Sequence, residues 1–390
     1  MRLSCSLEIP IVTSFTSTET RSRDALLMRL LRLPRHWYRP VGLLSAVALV
    51  LVAGCSGPYP QSTLTPRGDF AEMVDAVFMK TVYLAGIVFV LVEGALLIAL
   101  FKFRGKPSDA DPKQIHGSTM VEIIWTIIPA VVLAIVAVPT IQTIMATAKV
   151  PVVSPDGQPP LKVEVIGHQW YWEFRYPELG ITTANELHVP INRTIDLRMK
   201  SADVIHAFWV PQFAGKRDIF PNRETRLWFT AKETGEFPGA CAEFCGLEHG
   251  RMDFYLMVDS IDGFKAWAGR RLADSMLAYT GLPKNAADSV PLASLDAKVG
   301  QGRQLFASKG CVGCHSLSSM NPFKGQAGPN LSGIGSRKMI GAGWLPNTDE
   351  NLRDWIEHTQ KLKPGVAMLL PTAVTDDEAA ALIAYLRTMH

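Results

Sequence analysis

Two cysteines, two histidines and a methionine are spaced closely enough to bind metal together. Cys241, Cys245, His249 and Met252 lie within twelve residues of one another, and His206 lies upstream in the segment 201–211. Thiolate and thioether sulfurs select soft metals, and Cys, His and a weakly held Met are typical of electron-transfer copper sites. The second cysteine allows two bridging sulfurs and two histidines to hold two copper ions. We therefore predict a site that transfers electrons and does not bind a substrate.

The segment 241–252 resembles the copper-binding loop of cytochrome c oxidase subunit II, whose binuclear copper centre is called CuA. The resemblance implies that Cys241 and Cys245 bridge the two coppers. It also implies that His206 and His249 each bind one of them. All the positions of the family's ligand set are matched in this chain.

Two weaker ligands follow from the same resemblance. Met252 is the weak ligand of one copper, and the backbone carbonyl of Glu243 is the weak ligand of the other. The carboxylate of Glu243 is expected to bind magnesium at the contact with subunit I. The alternative is a zinc site of two cysteines and two histidines, but such a site has no need of Met252.

A second chemical motif lies near the C-terminus. Two cysteines at the spacing of Cys311 and Cys314 bond covalently to the vinyl groups of a c-type haem, and the adjacent His315 binds its iron. The segment 363–371 resembles the ligand loop of small bacterial cytochromes c, which implies Met368 as the second axial ligand, with Met339 as the alternative. We predict an all-α, class I cytochrome c domain, with helices over 296–308 and from Thr375 onward.

The composition indicates membrane segments beside globular domains. The chain has 390 residues, 48% hydrophobic residues and a net charge of +3, and it has no basic cluster that would indicate a nucleic-acid partner. Two apolar runs, Thr81–Phe101 and Val121–Ala146, are long enough to cross a bilayer as a two-helix hairpin. The segment 102–113 carries four basic residues against two acidic ones, which places it in the cytoplasm by the positive-inside rule.

The N-terminal segment has the order of a secretory signal. Arginines precede an apolar run at 41–53, and small residues follow. The end of the run resembles a bacterial lipoprotein cleavage box, which implies lipidation of Cys55. An uncleaved anchor or an ordinary signal is the alternative, and Met28 would begin a signal of ordinary length.

Between the membrane runs and the haem motif, short β-branched and aromatic runs predict an all-β domain. Examples are Leu161–Ile166, Thr194–Met199 and Thr225–Thr230, which favour an antiparallel barrel or sandwich. The resemblance implies a cupredoxin-like barrel. The predicted organisation is a signal peptide at 1–55, a transmembrane hairpin at 69–150, the CuA domain at 151–265, a linker at 266–292 and the cytochrome c domain at 293–390.

Three further residues take roles from the resemblance or from their position. Trp170 is expected at the electron entry surface near copper, with an aromatic ladder on the barrel as the alternative. Glu122, at the cytoplasmic beginning of the second membrane run, is expected at the entrance of a proton channel, although a merely solvated carboxylate would fit there too. Glu93 lies within the first membrane run, where an ionisable group usually faces a partner.

These observations together predict subunit II of a bacterial haem-copper oxidase with a fused cytochrome c. It would relay electrons from its haem through CuA to subunit I, where dioxygen is reduced to water with proton translocation. The expected partners are subunits I and III, membrane lipid and a periplasmic donor such as a soluble cytochrome c or the bc1 complex. The expected location is the inner membrane, with both cofactor domains on its periplasmic face. An exported copper-delivery factor and a quinol oxidase subunit are the alternatives.

Overall fold

The fold is described from a computed structural model, which covers residues 59–105, 114, 116–280, 297–318 and 327–390. The predicted signal segment 1–55 with its lipidation site Cys55, and the part 281–292 of the predicted linker, lie outside the described residues. Three structural parts follow one another along the described chain: a pair of long helices, a β-barrel and a small helical domain.

The two apolar runs form helices α1 (Asp69–Lys102) and α2 (Thr119–Thr147). Both have a mean hydropathy of 2.6 in their most apolar window, and both are long enough to cross a membrane. Helix α1 begins well before its apolar run because its first turn packs on the barrel: Phe70 is buried, and the backbone N–H of Thr230 donates to the Asp69 carboxylate at 2.7 Å.

The barrel consists of two five-stranded sheets, with the order β3-β2-β1-β5-β8 in one and β4-β10-β9-β6-β7 in the other. The strands are β1 (Leu161–His168), β2 (Tyr171–Tyr176), β3 (Ile181–Ala184), β4 (Glu186–Pro190), β5 (Thr194–Ser201), β6 (His206–Trp209), β7 (Arg217–Ile219), β8 (Thr225–Thr230), β9 (Gly235–Cys241) and β10 (Asp253–Asp259). The three strands predicted from sequence are present as β1, β5 and β8.

The pairing is not purely antiparallel, and in this respect the prediction is wrong. Strand β1 pairs with β5 in parallel, and β10 pairs with β4 in parallel. Parallel partners need a crossover between them, and here the chain forms β2, β3 and β4 between β1 and β5. Because the chain passes from one sheet to the other more than once, the two sheets pack around one core.

Alternation of apolar and polar residues builds that core. In β1 every second side chain is buried, as a strand with one face on the core requires. Trp172 is fully buried and packs edge-on against Phe208 and Phe254, with ring centroids 5.7 and 5.4 Å away. Phe208 lies in β6 and Phe254 in β10, the strands that begin at or next to the predicted copper ligands His206 and Met252.

Helix α3 (Ile261–Thr280) follows the barrel and covers one side of it. Trp267 is buried and stacks on His188 of β4, with 4.6 Å between the ring centroids. The first part of the predicted linker 266–292 is therefore the C-terminal portion of α3.

The C-terminal domain contains α4 (Ala297–Ser308), the two-stranded hairpin β11–β12 (Met339–Ile340 and Leu345–Pro346), α5 (Asp349–Leu362) and α6 (Asp376–Leu386). The predicted N-terminus of the last helix is confirmed, because Thr375 and Glu378 form a reciprocal capping box. Helices α4 and α6 cross in close contact at Gly302, while Phe306 and Tyr385 meet edge-on at 6.0 Å.

Candidate copper centre and haem cavity

The five predicted copper-binding side chains converge at one end of the barrel. His206 is the first residue of β6, Cys241 is the last residue of β9, and Met252 directly precedes β10. Because β9 pairs with both β6 and β10, the sheet brings these distant positions together. The ligand atoms of His206, Cys241 and Cys245 all lie within 4.8 Å of one another.

The distances within the cluster suit bridging sulfurs. The two cysteine sulfurs are 3.7 Å apart, and Cys241 Sγ is 3.9 Å from His206 Nδ1. On the other side, Cys245 Sγ is 3.6 Å from His249 Nδ1 and 3.8 Å from Met252 Sδ. Each cysteine therefore has a histidine neighbour of its own.

The weak donors are also in place. The backbone carbonyl oxygen of Glu243 lies 3.2 Å from Cys241 Sγ. Met252 is fully buried. The donor set is thus two thiols, two imidazoles, one thioether and one carbonyl, which is the chemistry that soft copper ions prefer.

The ring of His206 is oriented by a neighbouring carboxylate. Its Nε2–H donates to Asp203 Oδ1 at 2.8 Å, which leaves the Nδ1 lone pair directed at the sulfurs. Burial opposes the charged imidazolium, but the hydrogen bonds to Asp203 and Cys241 outweigh it and raise the pKa of His206. Sequence reasoning missed Asp203, although a carboxylate three residues before a histidine ligand is a recognisable signal.

The two thiols differ sharply in acidity. The hydrogen bond from the Cys245 thiol lowers the pKa of Cys241 to about 3, while the same bond raises the pKa of Cys245 well above its usual range. Cys241 is therefore a thiolate at neutral pH, and a thiolate is the form that binds metal.

The copper loop accepts hydrogen bonds from the turn between β1 and β2 and from strand β2. The carbonyl oxygen of Cys245 accepts hydrogen bonds from Gln169 Nε2 at 2.8 Å and from the indole of Trp170 at 3.1 Å. The indole of Trp172 donates to the carbonyl oxygen of Met252 at 3.2 Å. Trp170 lies in this turn and not within a strand, and it is almost fully buried.

A second site is a cavity of about 230 Å³ in the C-terminal domain. Cys311, Cys314 and His315 line it on one side, and both candidate axial methionines, Met339 and Met368, line it as well. The cavity thus contains every side chain that the haem motif requires.

The histidine of the motif is prepared to bind iron. His315 Nδ1–H donates to the carbonyl oxygen of Pro329 at 2.8 Å, which leaves Nε2 available. Burial lowers the pKa of His315, and the ring is therefore neutral at pH 7. The Thr359 hydroxyl donates to the carbonyl oxygen of Trp355, and the sulfur of Met368 lies 3.6 Å from Thr359 Oγ1.

Two orphaned polar atoms support the fit of a haem. Tyr171 Oη and Arg337 Nε are buried without a hydrogen-bond partner among the described residues, and both residues line the cavity. A buried polar atom normally has a partner, and the carboxylates of a haem are acceptors that could serve both. Tyr171 belongs to the barrel, so the copper domain contributes part of the cavity wall.

The membrane carboxylates lie in the helix pair and not in either site. Glu122 is in the first turn of α2 and is exposed, and Glu93 is half-buried in α1. The loop around the copper ligands also exposes two large apolar side chains, Phe244 (77%) and Leu247 (71%).

Comparison with known proteins agrees with all three parts of the chain. The family described as "Cytochrome C oxidase subunit II, transmembrane domain" matches residues 65–143, and its "periplasmic domain" matches residues 179–261. The family described as "Cytochrome c" matches residues 299–390. The periplasmic domain implies a CuA copper centre, and the cytochrome c domain implies haem c.

Two relatives match along nearly the whole chain. Cytochrome c oxidase subunit 2 of Alkalihalophilus pseudofirmus is 36% identical over 87% of this chain and 94% of its own length. That of Bacillus sp. strain PS3 is 33% identical over 90% of this chain and 97% of its own length. A solved periplasmic domain of cytochrome oxidase subunit II from Bradyrhizobium japonicum is 35% identical, with coverage of 28% of this chain and 91% of that chain and a TM-score of 0.27.

The family assignment rests on the two full-length relatives. The three family models and the two long apolar helices confirm the predicted membrane-anchored architecture, with a cupredoxin-like domain and a fused cytochrome. The chain therefore belongs to the cytochrome c oxidase subunit II family, as a member with a C-terminal cytochrome c domain and as part of the haem-copper oxidase, an oxidoreductase that also contains subunit I.

Proposed function

We propose that this chain relays electrons from its own c-type haem site to its binuclear copper site, and from there to subunit I for the reduction of dioxygen coupled to proton translocation. The observation that carries the proposal is the position of Trp170. Its indole donates to the carbonyl oxygen of the ligand Cys245, and the same residue lines the haem cavity. A single side chain therefore separates the two sites, which supports Trp170 as the entry point for electrons.

At the copper site, Cys241 and Cys245 would bridge two coppers, and His206 and His249 would each hold one. Met252 and the Glu243 carbonyl would complete the two coordination spheres. The 3.7 Å separation of the two sulfurs supports this assignment. Such a centre, when bound, accepts and passes on one electron at a time without binding a substrate. Zinc is disfavoured because the buried Met252 sulfur lies 3.8 Å from Cys245 Sγ. A zinc site of two cysteines and two histidines is already four-coordinate and does not need a thioether ligand.

At the haem site, Cys311 and Cys314 would hold the group covalently, with His315 and Met368 as the axial ligands. Met368 is favoured over Met339 because the segment 363–371 resembles the ligand loop of small bacterial cytochromes c.

The expected surroundings follow from the family and from the surface of the copper loop. Two helices that fit a bilayer and a basic connecting segment support a position in the bacterial inner membrane, with both cofactor domains on the periplasmic side. Phe244 and Leu247 expose apolar surface beside the ligands, as a face that contacts subunit I would. Subunit III and a periplasmic electron donor, either a soluble cytochrome c or the bc1 complex, remain expected partners.

A carboxylate on the copper loop is the proposed magnesium ligand. The side chain of Glu243 is half-buried beside the ligands, while its carbonyl faces Cys241. Among the described residues it belongs to no cluster of three metal donors. A magnesium ion held here would therefore take its other ligands from subunit I.

The proton-channel role of Glu122 rests on its position in the first, exposed turn of α2. Replacing Glu122 by Ala should slow turnover and proton uptake of the assembled oxidase. The optical spectra of the copper and haem sites should not change, because neither site contains this residue. Unchanged oxidase activity in the variant would remove the assignment.

Metal analysis of the purified oxidase complex tests the relay itself. We expect two coppers and one covalent haem in this polypeptide, and we expect reduction of the haem to precede reduction of the copper. A Cys245→Ser variant should lose the copper and keep the covalent haem, and electrons should then stop at the haem. Zinc in place of copper in the native complex would refute the proposal. A quinol oxidase subunit or a copper-delivery factor would lack the covalent haem.

A further inference from the structure

We propose that Lys363 is a positioning residue for electron transfer: its side chain fastens the haem domain to the turn that carries Trp170 and to the end of the copper loop. This inference rests on the proposed relay, since it assigns the residue that sets the geometry between the two sites. Neither the haem motif nor the copper ligand set includes Lys363.

The ammonium group of Lys363 joins three separate segments. Its Nζ donates to the carbonyl oxygens of Trp170 at 3.0 Å and Arg251 at 2.7 Å, both in the copper domain, and of Gly341 at 3.0 Å in the haem domain. An ammonium has three donors, and all three are used here. The side chain is only 1% exposed.

Such a buried lysine is unusual and therefore informative. Charged side chains are seldom fully buried unless they are paired, and here the partners are backbone carbonyls from both domains. Burial lowers the pKa of Lys363 to about 8, so the group still carries its charge and all three donors at neutral pH. Without it, three carbonyl groups at the domain contact would lose a donor.

A reciprocal contact strengthens the same junction. Arg251 Nη1 donates to the carbonyl oxygen of Leu362 at 2.8 Å, and its guanidinium lies 4.4 Å from the ring centre of Trp344 in the haem domain. Beside it, the backbone N–H of Asp253 donates to the carbonyl oxygen of Ala342 at 3.0 Å. The copper loop and the haem domain thus exchange hydrogen bonds in both directions.

The contact lies where it controls the distance between the two sites. Trp170 bonds through its indole to the ligand Cys245 and through its own carbonyl to Lys363. Lys363 directly follows the last residue of helix α5 and begins the segment that leads to Met368 in the cavity wall. One ammonium therefore ties the entry tryptophan to the chain segment of the axial methionine.

The test uses the purified oxidase complex with Lys363→Met, which keeps a long apolar stem and removes the donors. The matched control is Lys361→Met, two residues away and exposed. The first measurement is hydrogen exchange of the Asp253 amide, whose hydrogen bond to the Ala342 carbonyl oxygen crosses the domain contact. The second is the rate of electron transfer from photoreduced haem to copper, with the optical spectra and potentials of both centres as a check.

We expect exchange at Asp253 to rise about tenfold or more in Lys363→Met, because hydrogen bonds from charged donors contribute strongly. The transfer rate should fall several-fold while the potentials stay as in Lys361→Met. Exchange that matches the control would overturn the proposal, and so would faster exchange with an unchanged transfer rate.

If the Lys363→Met protein does not accumulate with bound haem, the variant Arg251→Gln tests the same contact from the copper domain. It removes the bond to Leu362 and leaves the haem domain intact. Faster exchange at Asp253 together with slower transfer supports the junction, and wild-type values for both refute it. The wild-type complex separates this inference from the relay: no transfer from haem to copper in the wild type would refute the relay itself, whatever Lys363 does.

Discussion

Met252 differs in kind from the other proposed copper ligands. Thiolates and imidazoles bind copper strongly, whereas a thioether is a weak ligand that tunes the redox potential. Its sulfur lies 3.8 Å from Cys245 Sγ, and its carbonyl oxygen accepts a hydrogen bond from the Trp172 indole. The barrel core therefore fixes the backbone at this position. A substitution here changes the side-chain ligand and leaves the backbone hydrogen bond in place.

Replacing Met252 by Leu should change the copper potential and little else. The thioether donates electron density to oxidised copper, so its loss should raise the midpoint potential of the copper site. Leu has nearly the same volume, and the stability cost should stay below about 1.5 kcal/mol. Redox titration of the purified complex measures the potential, and the covalent haem serves as the internal control. A copper potential equal to that of the wild type would show that Met252 is not a ligand.

At this scale the sequence predicts the donors of each site but not their supporting contacts. Residue types and spacing identify the cysteines, histidines and methionines, because soft metals and haem vinyls need those groups. Asp203 is only three residues from His206, but Lys363 and Tyr171 lie against segments far from them in the chain. Such contacts exist only after the barrel and the haem domain have folded and met.

Among the secondary-structure elements of the haem domain, α4 and α6 cross with their backbones in close contact. A Cβ placed on Gly302 would lie 1.9 Å from the carbonyl oxygen of Ala381 and 2.8 Å from Cβ of Tyr385. The backbone of α6 cannot move away easily, because Leu382 and Tyr385 are themselves buried. Glycine is therefore required at this crossing for close approach and not for flexibility.

Gly302→Ala should destabilise the haem domain by about 2 kcal/mol or more, since overpacking of a tight contact typically costs about 1–3 kcal/mol. The matched control is Gly300→Ala on the same helix, where an added Cβ meets nothing within 4 Å. That change should be neutral or stabilising by up to about 1 kcal/mol, because alanine favours helix. Denaturant titration of the haem absorbance in the full-length protein compares the two. Equal midpoints would contradict the packing argument.

The elements themselves were largely predictable, and the exceptions have physical causes. Apolar run length predicted α1 and α2, and the capping residues predicted the start of α6. The apolar run of α1 alone begins only at Thr81, because the first turn of the helix has no continuous apolar run and is stabilised by Thr230 of the barrel instead. The two parallel strand pairs were missed because alternation reports which face of a strand is buried and carries no information on its partner.

In the whole molecule, a polar junction holds the haem domain on the copper domain. Besides Lys363, the backbone N–H of Lys338 donates to the Glu186 carboxylate at 2.8 Å, and Arg271 of α3 donates to Ser336 at 3.2 Å. Covalent tethering gives the haem domain a high effective concentration at this surface. Modest hydrogen bonds are then sufficient to select one docked orientation.

Glu186 should make this docking dependent on pH. The carboxylate is 4% exposed, and burial alone would raise its pKa. Three neighbours outweigh burial and lower the pKa below its ordinary value of 4.5. They are the side chain of His188, the charge of Arg337 and the backbone N–H of Lys338. Arg337 and Lys338 belong to the haem domain, so undocking removes part of this effect. The ionised carboxylate therefore stabilises the docked state above pH 4.5, and its contribution is lost as the pH falls through the lower, docked value.

The variant Glu186→Gln keeps an acceptor and removes the charge, so it isolates this contribution. At pH 7 we expect the segment 337–340 to exchange its amides about tenfold faster in the variant than in the wild type. The difference should shrink as the pH falls below about 4.5, because the wild-type carboxylate is then increasingly protonated. The control is Glu236→Gln, which removes the exposed partner of Lys338, and such surface ion pairs contribute only about 0–1 kcal/mol. A difference between Glu186→Gln and wild type that stays constant with pH would show that the charge of Glu186 does not hold the domains together.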